Sequence, residues 1–276
     1  MTEINFIKMH GLGNDFVVID NRHQDCFLDK ELIVRISNRR TGIGCDQLIV
    51  IDKSVESIAD VKMTIFNSDG SEAKTCGNAS RCIGKLMLNE KTDKNLLLET
   101  KGGLVDIEII NGVIHVDMGL AKSDWRDIPL LRPVDTSNLN FNYDILTGGF
   151  AVNIGNPHVV FFNNELDKNK LTKDCEVISK LDLFKEGVNI NIAKIVSRNH
   201  IKLIVFERGC GFTPACGSGA CATLAAAVNL NKVNKKVKIS MDGGDLEISF
   251  LNDGHLLMSG PAEKTYEGKL TLTDKI

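Results

Sequence analysis

Apolar residues recur along this chain in two rhythms that switch at glycines. The runs Val17 to Ile19, Leu48 to Ile51, Val113 to Met118 and Lys202 to Phe206 alternate or run apolar between turn residues, and they predict strands. Two segments break that rhythm. After Cys76, the residues Ala79, Cys82, Ile83 and Leu86 fall at i, i+3, i+4 and i+7, which puts one apolar stripe on a helix. After Cys216, the run Ala220 to Val228 is apolar on every side, so that helix is expected to be buried all round. Gly102-Gly103 and Gly243-Gly244 each enter a further alternation, Val105, Ile107 and Ile109 in one case and Leu246, Ile248 and Phe250 in the other.

These segments repeat in order. Leu12-Gly13-Asn14-Asp15-Phe16-Val17-Val18 matches Ile154-Gly155-Asn156-Pro157-His158-Val159-Val160 at an offset of 142. Ile65-Phe66-Asn67 matches Val205-Phe206-Glu207, and Cys76 matches Cys216, both at an offset of 140. The paired glycines match at an offset of 141. A lone Gly-Asn or Gly-Gly is ordinary turn punctuation. Agreement in order and spacing marks an internal duplication. Each half reads as strands, one helix beginning near its Cys-Gly pair, and more strands. The fold class is therefore α+β, two pseudo-symmetric domains in which a mostly antiparallel sheet or barrel wraps a central helix. The join falls near Gly119 to Asp127, with Pro129 and Pro133 marking an irregular connection.

A length of 276 residues suits two domains of ordinary size. With 43% hydrophobic and 25% charged residues, the chain lies outside the range where disorder dominates. The net charge of −3, with Lys and Arg scattered, leaves no footprint for nucleic acid or an anionic membrane, so small molecules are the expected partners. The start, Met1-Thr2-Glu3-Ile4-Asn5, lacks the basic and then apolar run of a secretory signal. The longest uncharged stretch, Gly209 to Asn231, is broken by Pro214 and four glycines and falls short of a membrane span. A cytoplasmic location is expected. The eight cysteines then read as thiols, and the absence of C-x-x-C spacing disfavours a metal site.

Cys76 and Cys216 point to specific chemistry. A thiol at a helix N-terminus feels a partial positive charge and free N–H groups, which are expected to lower its pKa from ~8.5 into roughly 3.5–7.5. The neighbouring Gly77-Asn78 and Gly217-Ser218-Gly219 permit close approach of a carboxylate to those N–H groups. Two such ends facing each other would clamp one carboxylate between two thiols. That arrangement suits removal of the proton next to a carboxylate and its return on the opposite face. Cys26, Cys45, Cys82, Cys175, Cys210 and Cys221 read as packed, inert thiols.

Several segments carry a family resemblance. They are His10-Gly11-Leu12-Gly13-Asn14-Asp15-Phe16, Gly42-Ile43-Gly44-Cys45-Asp46-Gln47, Asn67-Ser68-Asp69-Gly70-Ser71-Glu72, Cys76-Gly77-Asn78, Gly155-Asn156-Pro157-His158, Glu207-Arg208-Gly209 and Ala215-Cys216-Gly217-Ser218-Gly219. Over nearly its whole length the chain resembles the diaminopimelate epimerase family, enzymes of lysine and peptidoglycan precursor synthesis that use no cofactor. The resemblance implies that Cys76 and Cys216 are the catalytic acid/base pair and that LL- and meso-diaminopimelate are the substrates. It implies that Gly77, Asn78, Gly217 and Ser218 hold the reacting end. Asn67, Asn156, Asn189, Glu207 and Arg208 would read the distal amino and carboxylate groups, with Asn14 and Gln47 also at the site. His158 and Glu207 would tune the thiol pKa values, and Tyr266 would lie at a homodimer contact. By the same resemblance the domains are 1–120, completed by 264–276, and 121–263, with the active site in the cleft between them.

Taken singly, Asn14, Asn67 and Asn156 would be turn amides, and Glu207 and Arg208 a solvated charge pair. Phe212 departs from the family, which usually carries Glu there, and Cys210 and Pro214 are also unusual. The nearest rival reading is a racemase for proline, hydroxyproline or histidine, which would leave Arg208 without an anionic partner. A thiol redox or metal-binding protein is the rival from another class, and the missing C-x-x-C argues against it.

Overall fold

The structure is a computed structural model and describes residues 2–24, 26–88 and 94–272. In chain order its elements are β1 (Thr2–Gly11), β2 (Asn14–Asp20), α1 (Lys30–Ser37), β3 (Gln47–Asp52), β4 (Val61–Asn67), β5 (Glu72–Ala73), α2 (Gly77–Leu88), β6 (Asn95–Thr100), β7 (Gly103–Ile110) and β8 (Val113–Leu120). There follow β9 (Phe141–Asn142), β10 (Thr147–Gly148), β11 (Phe150–Asn153), β12 (Pro157–Phe162), α3 (Lys168–Ser179), β13 (Asn189–Ser197), β14 (His200–Glu207), β15 (Gly211–Thr213), α4 (Gly217–Asn229), β16 (Lys236–Met241), β17 (Gly244–Phe250), β18 (His255–Ser259) and β19 (Glu263–Leu272). The chain divides into two compact units, Met1–Val116 with Gly260–Ile276, and Asp117–Ser259. The division falls inside β8.

Strand pairing is the same in both units. In the first, β1 pairs antiparallel with β2, β2 parallel with β3, β3 antiparallel with β4, β4 antiparallel with β5 and parallel with β6, and β6 antiparallel with β7. In the second, β11 to β12, β12 to β13, β13 to β14, β14 to β15 and β16, and β16 to β17 follow the same sequence of directions. The first unit adds β19, returned from the end of the chain to pair antiparallel with β1.

Strands β2, β3, β12 and β13 are covered on both faces, so buried residues run consecutively along them, at 16–19, 48–51, 157–161 and 189–193. Side chains alternate across a strand. Val17, Ile19, Leu48 and Val50 pack with Ile33 and Ile36 of α1, and Val159, Phe161, Ile190 and Ile192 pack with Leu171, Cys175 and Ile178 of α3. The alternate positions, Phe16 and Gln47 in one unit and His158, Asn189 and Asn191 in the other, therefore face the opposite side. On that side α2 packs against β1, β6 and β7, and α4 against β11, β12, β13, β17 and β18. Strands from both ends of each strand order reach the helix, so each sheet wraps its helix.

Helix α4 is buried from Gly219 to Ala227, as its all-round apolar run requires. Helix α2 differs from the single stripe expected of it. Leu86 is only half-buried, while Met87, Leu88 and every residue from Asn78 to Gly84 are buried. That set includes Arg81, a charge where the pattern suggested an exposed face. Among the described residues no helix is long and apolar enough to cross a membrane.

Candidate active site

Cys76 lies immediately before α2, its carbonyl accepting the Ser80 N–H at 2.9 Å. Opposite it stands Asn14, delivered by the β1–β2 hairpin. That hairpin turns through Leu12 and Gly13, both at positive φ (57° and 86°), the conformation of a tight two-residue turn. The Cys76 Sγ lies 3.8 Å from Asn14 Oδ1, which also accepts from Asn78 Nδ2 at 3.2 Å. Both amides are oriented from behind. Asp46 accepts from Asn14 Nδ2 at 3.0 Å, and Arg81 Nη2 donates to Asn78 Oδ1 at 2.9 Å. Arg81 is fully buried and also donates to the Pro261 carbonyl at 3.3 Å.

Gln47 and Asn67 lie opposite each other across β3 and β4, joined by Gln47 Nε2 donating to Asn67 Oδ1 at 3.0 Å. Asn67 donates in turn to Ser71 Oγ at 3.0 Å, and Gln47 Oε1 is buried with no partner among the described residues. Asp15, beside Asn14, is bound by Lys8 and Arg39. Burial raises its pKa, but the hydrogen bonds from Arg39 and Lys8 outweigh that and hold the carboxyl well below the usual range.

In the second unit Cys216 is itself the N-cap of α4. Its φ of −140° is extended, and its Sγ accepts from the Gly219 N–H at 3.4 Å and lies 3.5 Å from Ser218 Oγ. His158, fully buried in β12, places Nε2 2.9 Å from Asn156 Oδ1 and 3.1 Å from Ser218 Oγ. Asn191 of β13 bonds the other ring nitrogen, Nδ1, at 3.1 Å. A side chain at Gly219 could not fit here, since its Cβ would stand 2.6 Å from Asn191 Oδ1. Asn189 lies opposite His158 across β12 and β13, and its Oδ1 accepts the Arg208 N–H at 3.0 Å. Glu207 ends β14 and accepts from Thr213 Oγ1 at 2.5 Å. Arg208 is exposed, with one guanidinium nitrogen donating to the Glu186 carbonyl.

One expectation fails at Cys216. A helix start was expected to depress its pKa, yet the thiol is pushed well above its ordinary value. Burial is the larger cause and the Glu207 carboxylate the next, against smaller help from Ser218 and the Gly219 N–H. Cys216 is buried, and both of these causes favour its thiol form. His158 is held neutral, burial driving its pKa down to about 3.

The departures in the loop before Cys216 are accommodated. Phe212 sets its ring edge-on to Phe206 at 5.1 Å, with the Lys168 ammonium 5.7 Å above it. The Pro214 carbonyl accepts from Gly243, as the Lys74 carbonyl accepts from Gly102 in the first unit. Cys210 is exposed, and none of the eight cysteines is joined in a disulfide. Tyr266 is about half exposed, edge-on to Phe6 at 6.0 Å. Arg81, Asp46 and Asn191 were missing from the expected site. Asn191 had a signal, because Asn189 and Asn191 share a strand face by alternation, and Asp46 lies in a segment that carries the family resemblance; Arg81 had none.

The family model described as diaminopimelate epimerase matches residues 6–123 and 150–265. Curated relatives named diaminopimelate epimerase include one from Sphingopyxis alaskensis, 43% identical over 96% of both chains. Another, from Gluconobacter oxydans, is 43% identical over 96% of this chain and 98% of its own. Among solved structures, a hydroxyproline epimerase from Agrobacterium vitis superposes with a TM-score of 0.71 at 12% identity, covering 98% of this chain and 91% of its own. A Bacillus anthracis protein of the phenazine biosynthesis PhzF family gives 0.69 at 16% identity, over 99% and 100%. At those identities the likeness is one of fold.

Proposed function

The chain belongs to the diaminopimelate epimerase family, and we propose that it interconverts LL- and meso-diaminopimelate in lysine and peptidoglycan precursor synthesis, with Cys76 and Cys216 as the two acid/base groups. In each turnover the thiolate of one cysteine takes the α-proton as a new S–H bond, leaving the C–H electron pair on the substrate. The thiol of the other cysteine protonates the α-carbon on its opposite face and becomes thiolate. Turnover in the reverse direction exchanges the roles. No cofactor takes part.

The obstacle is charge, since the carbanion delocalises onto a carboxylate that is already negative. N–H groups at the starts of α2 and α4, at Gly77-Asn78 and Gly217-Ser218, are suited to bind those oxygens, and they are fixed before reaction. The single observation that carries the proposal is the repeated device: a cysteine immediately before each buried helix, in two units of identical strand pairing.

The unreacting end of the substrate carries a second carboxylate and ammonium. Arg208 supplies an exposed guanidinium for the carboxylate. Glu207 and the amides of Asn67, Asn156 and Asn189, with Asn14 and Gln47, supply acceptors for the ammonium. The unpartnered Oε1 of Gln47 favours that assignment. Glu207 and His158 tune Cys216, Glu207 by favouring thiol and His158 by remaining neutral. A cytoplasmic homodimer joined near Tyr266 completes the proposal, supported by the exposure of that ring.

The test is direct. Reduced protein, without pyridoxal phosphate or added metal, is expected to convert LL-diaminopimelate to the meso form and, in D2O, to place deuterium at the α-carbon of the product. A folded protein that does neither refutes the proposal.

A further inference from the structure

His158 can shape the chemistry at Cys216 only through the position of its single ring proton, and the structure contains what fixes that position. Asn191 Nδ2 lies 3.3 Å from the Val159 carbonyl as well as 3.1 Å from His158 Nδ1. A backbone carbonyl can only accept, so it holds the NH2 end of the amide on that side. The NH2 group therefore donates to Nδ1, and a nitrogen that accepts carries no proton. The neutral ring must then carry its proton on Nε2.

The Nε2–H group faces two oxygens, Asn156 Oδ1 and Ser218 Oγ. Because Nε2 is already protonated it cannot accept the Ser218 hydroxyl proton. The Cys216 Sγ, 3.5 Å from Ser218 Oγ, is then the acceptor within reach of that proton. In the opposite tautomer, Nε2 would accept from Ser218 and draw its proton away from the sulfur. We infer that Asn191 is a positioning residue that sets the direction of the chain from His158 through Ser218 to Cys216, so that the Ser218 hydroxyl donates to the sulfur that must become thiolate.

The arrangement answers a local need. Cys216 is buried and faces the carboxylate of Glu207 from β14, the charged group that acts on it, while behind Ser218 stand the neutral side chains of His158 and Asn191 from β12 and β13. Donors aimed at the sulfur, the Gly219 N–H and the Ser218 hydroxyl, are what favour the thiolate there. Close packing keeps the amide in place: Asn191 is fully buried, and its Oδ1 lies so near Gly219 that no side chain fits between them. In the first unit, Asn78 takes the place of Ser218 and contacts Asn14 directly, with no imidazole between. The device belongs to the Cys216 side.

The inference rests on the two-thiol reading of the reaction, and its test separates the two. In protein labelled with 15N-histidine, the His158 signals, assigned by their loss in His158→Gln, are expected to show a protonated Nε2 and a bare Nδ1 at pH 7. A ring protonated on Nδ1, or on both nitrogens, overturns the inference whether or not the protein is active, and an inactive protein with the expected tautomer removes only the two-thiol reading. Asn191→Ala should lower kcat by about tenfold or more, but by less than about twofold in a Ser218→Ala background, because its effect passes through that hydroxyl. Losses that multiply independently would show that Asn191 acts by another route.

Discussion

His158 occupies in the second unit the strand position that Phe16 occupies in the first. His158 lies opposite Asn189 across the parallel pair β12–β13, and Phe16 lies opposite Gln47 across the parallel pair β2–β3. A duplicated scaffold thus carries a polar ring on one side and an apolar ring on the other. The same holds five residues into each helix, where Arg81 of α2 answers to Cys221 of α4. The strand ends differ in charge instead, the neutral Asn67 answering to the acidic Glu207. The cysteines repeat, but their electrostatic surroundings do not: a buried guanidinium stands on the helix of Cys76, and a carboxylate raises the pKa of Cys216.

Acid should destabilise the protein through His158. Its pKa of about 3 in the folded state lies below the ~6.5 of an unfolded histidine, so the unfolded chain binds the extra proton between those values. The stabilisation is complete above about pH 6.5, declines as pH falls, and levels off near the folded value. Depressed carboxylates such as Asp15 add their own loss below about pH 5. Urea unfolding from about pH 6.5 to 5 is therefore expected to show a slope that His158→Phe reduces. An unchanged slope in that variant would contradict the assignment.

Arg81 should matter for both stability and rate. Arg81→Met leaves the buried Asn78 Oδ1 without this donor, at about 1–3 kcal/mol for a buried group left unsatisfied. It also frees the Asn78 amide to turn away from Asn14. Denaturant unfolding should show the loss of stability. The fall in kcat should persist at temperatures where the variant is still fully folded.

Arg208 should matter for substrate alone. Its guanidinium is exposed, so Arg208→Ala is expected to change stability by no more than about 0.5 kcal/mol. Loss of a charged hydrogen bond of about 1.5–3 kcal/mol should lower kcat/KM for diaminopimelate by about 10- to 100-fold. Unchanged kinetics would remove its role at the distal carboxylate.

Much of this was legible in the sequence because it is written in spacing. Ordered offsets of 140 to 142 announce the duplicated topology, and the apolar run after Cys216 announces a buried helix. What spacing does not carry is the far partner of a polar group. Arg81 meets Pro261 across 180 residues, and Asp46 meets Asn14 across 32, so neither role can be read from local pattern. Gln47 and Asn67 entered the candidate site only by family resemblance, although each ends up opposite the other on adjacent strands. The Cys216 pKa went astray for a related reason. The helix terminus is a local feature visible in sequence, whereas burial and the facing Glu207 are tertiary and larger.

The central claim is that two thiols share one proton transfer, and the most direct measurement is conversion of LL-diaminopimelate in D2O by folded Cys76→Ala and Cys216→Ala proteins. Each variant is expected to lose conversion by a factor of about 10² to 10⁴, the usual contribution of a positioned acid or base, while unfolding like the parent chain. Conversion at the parent rate by either variant would contradict the account.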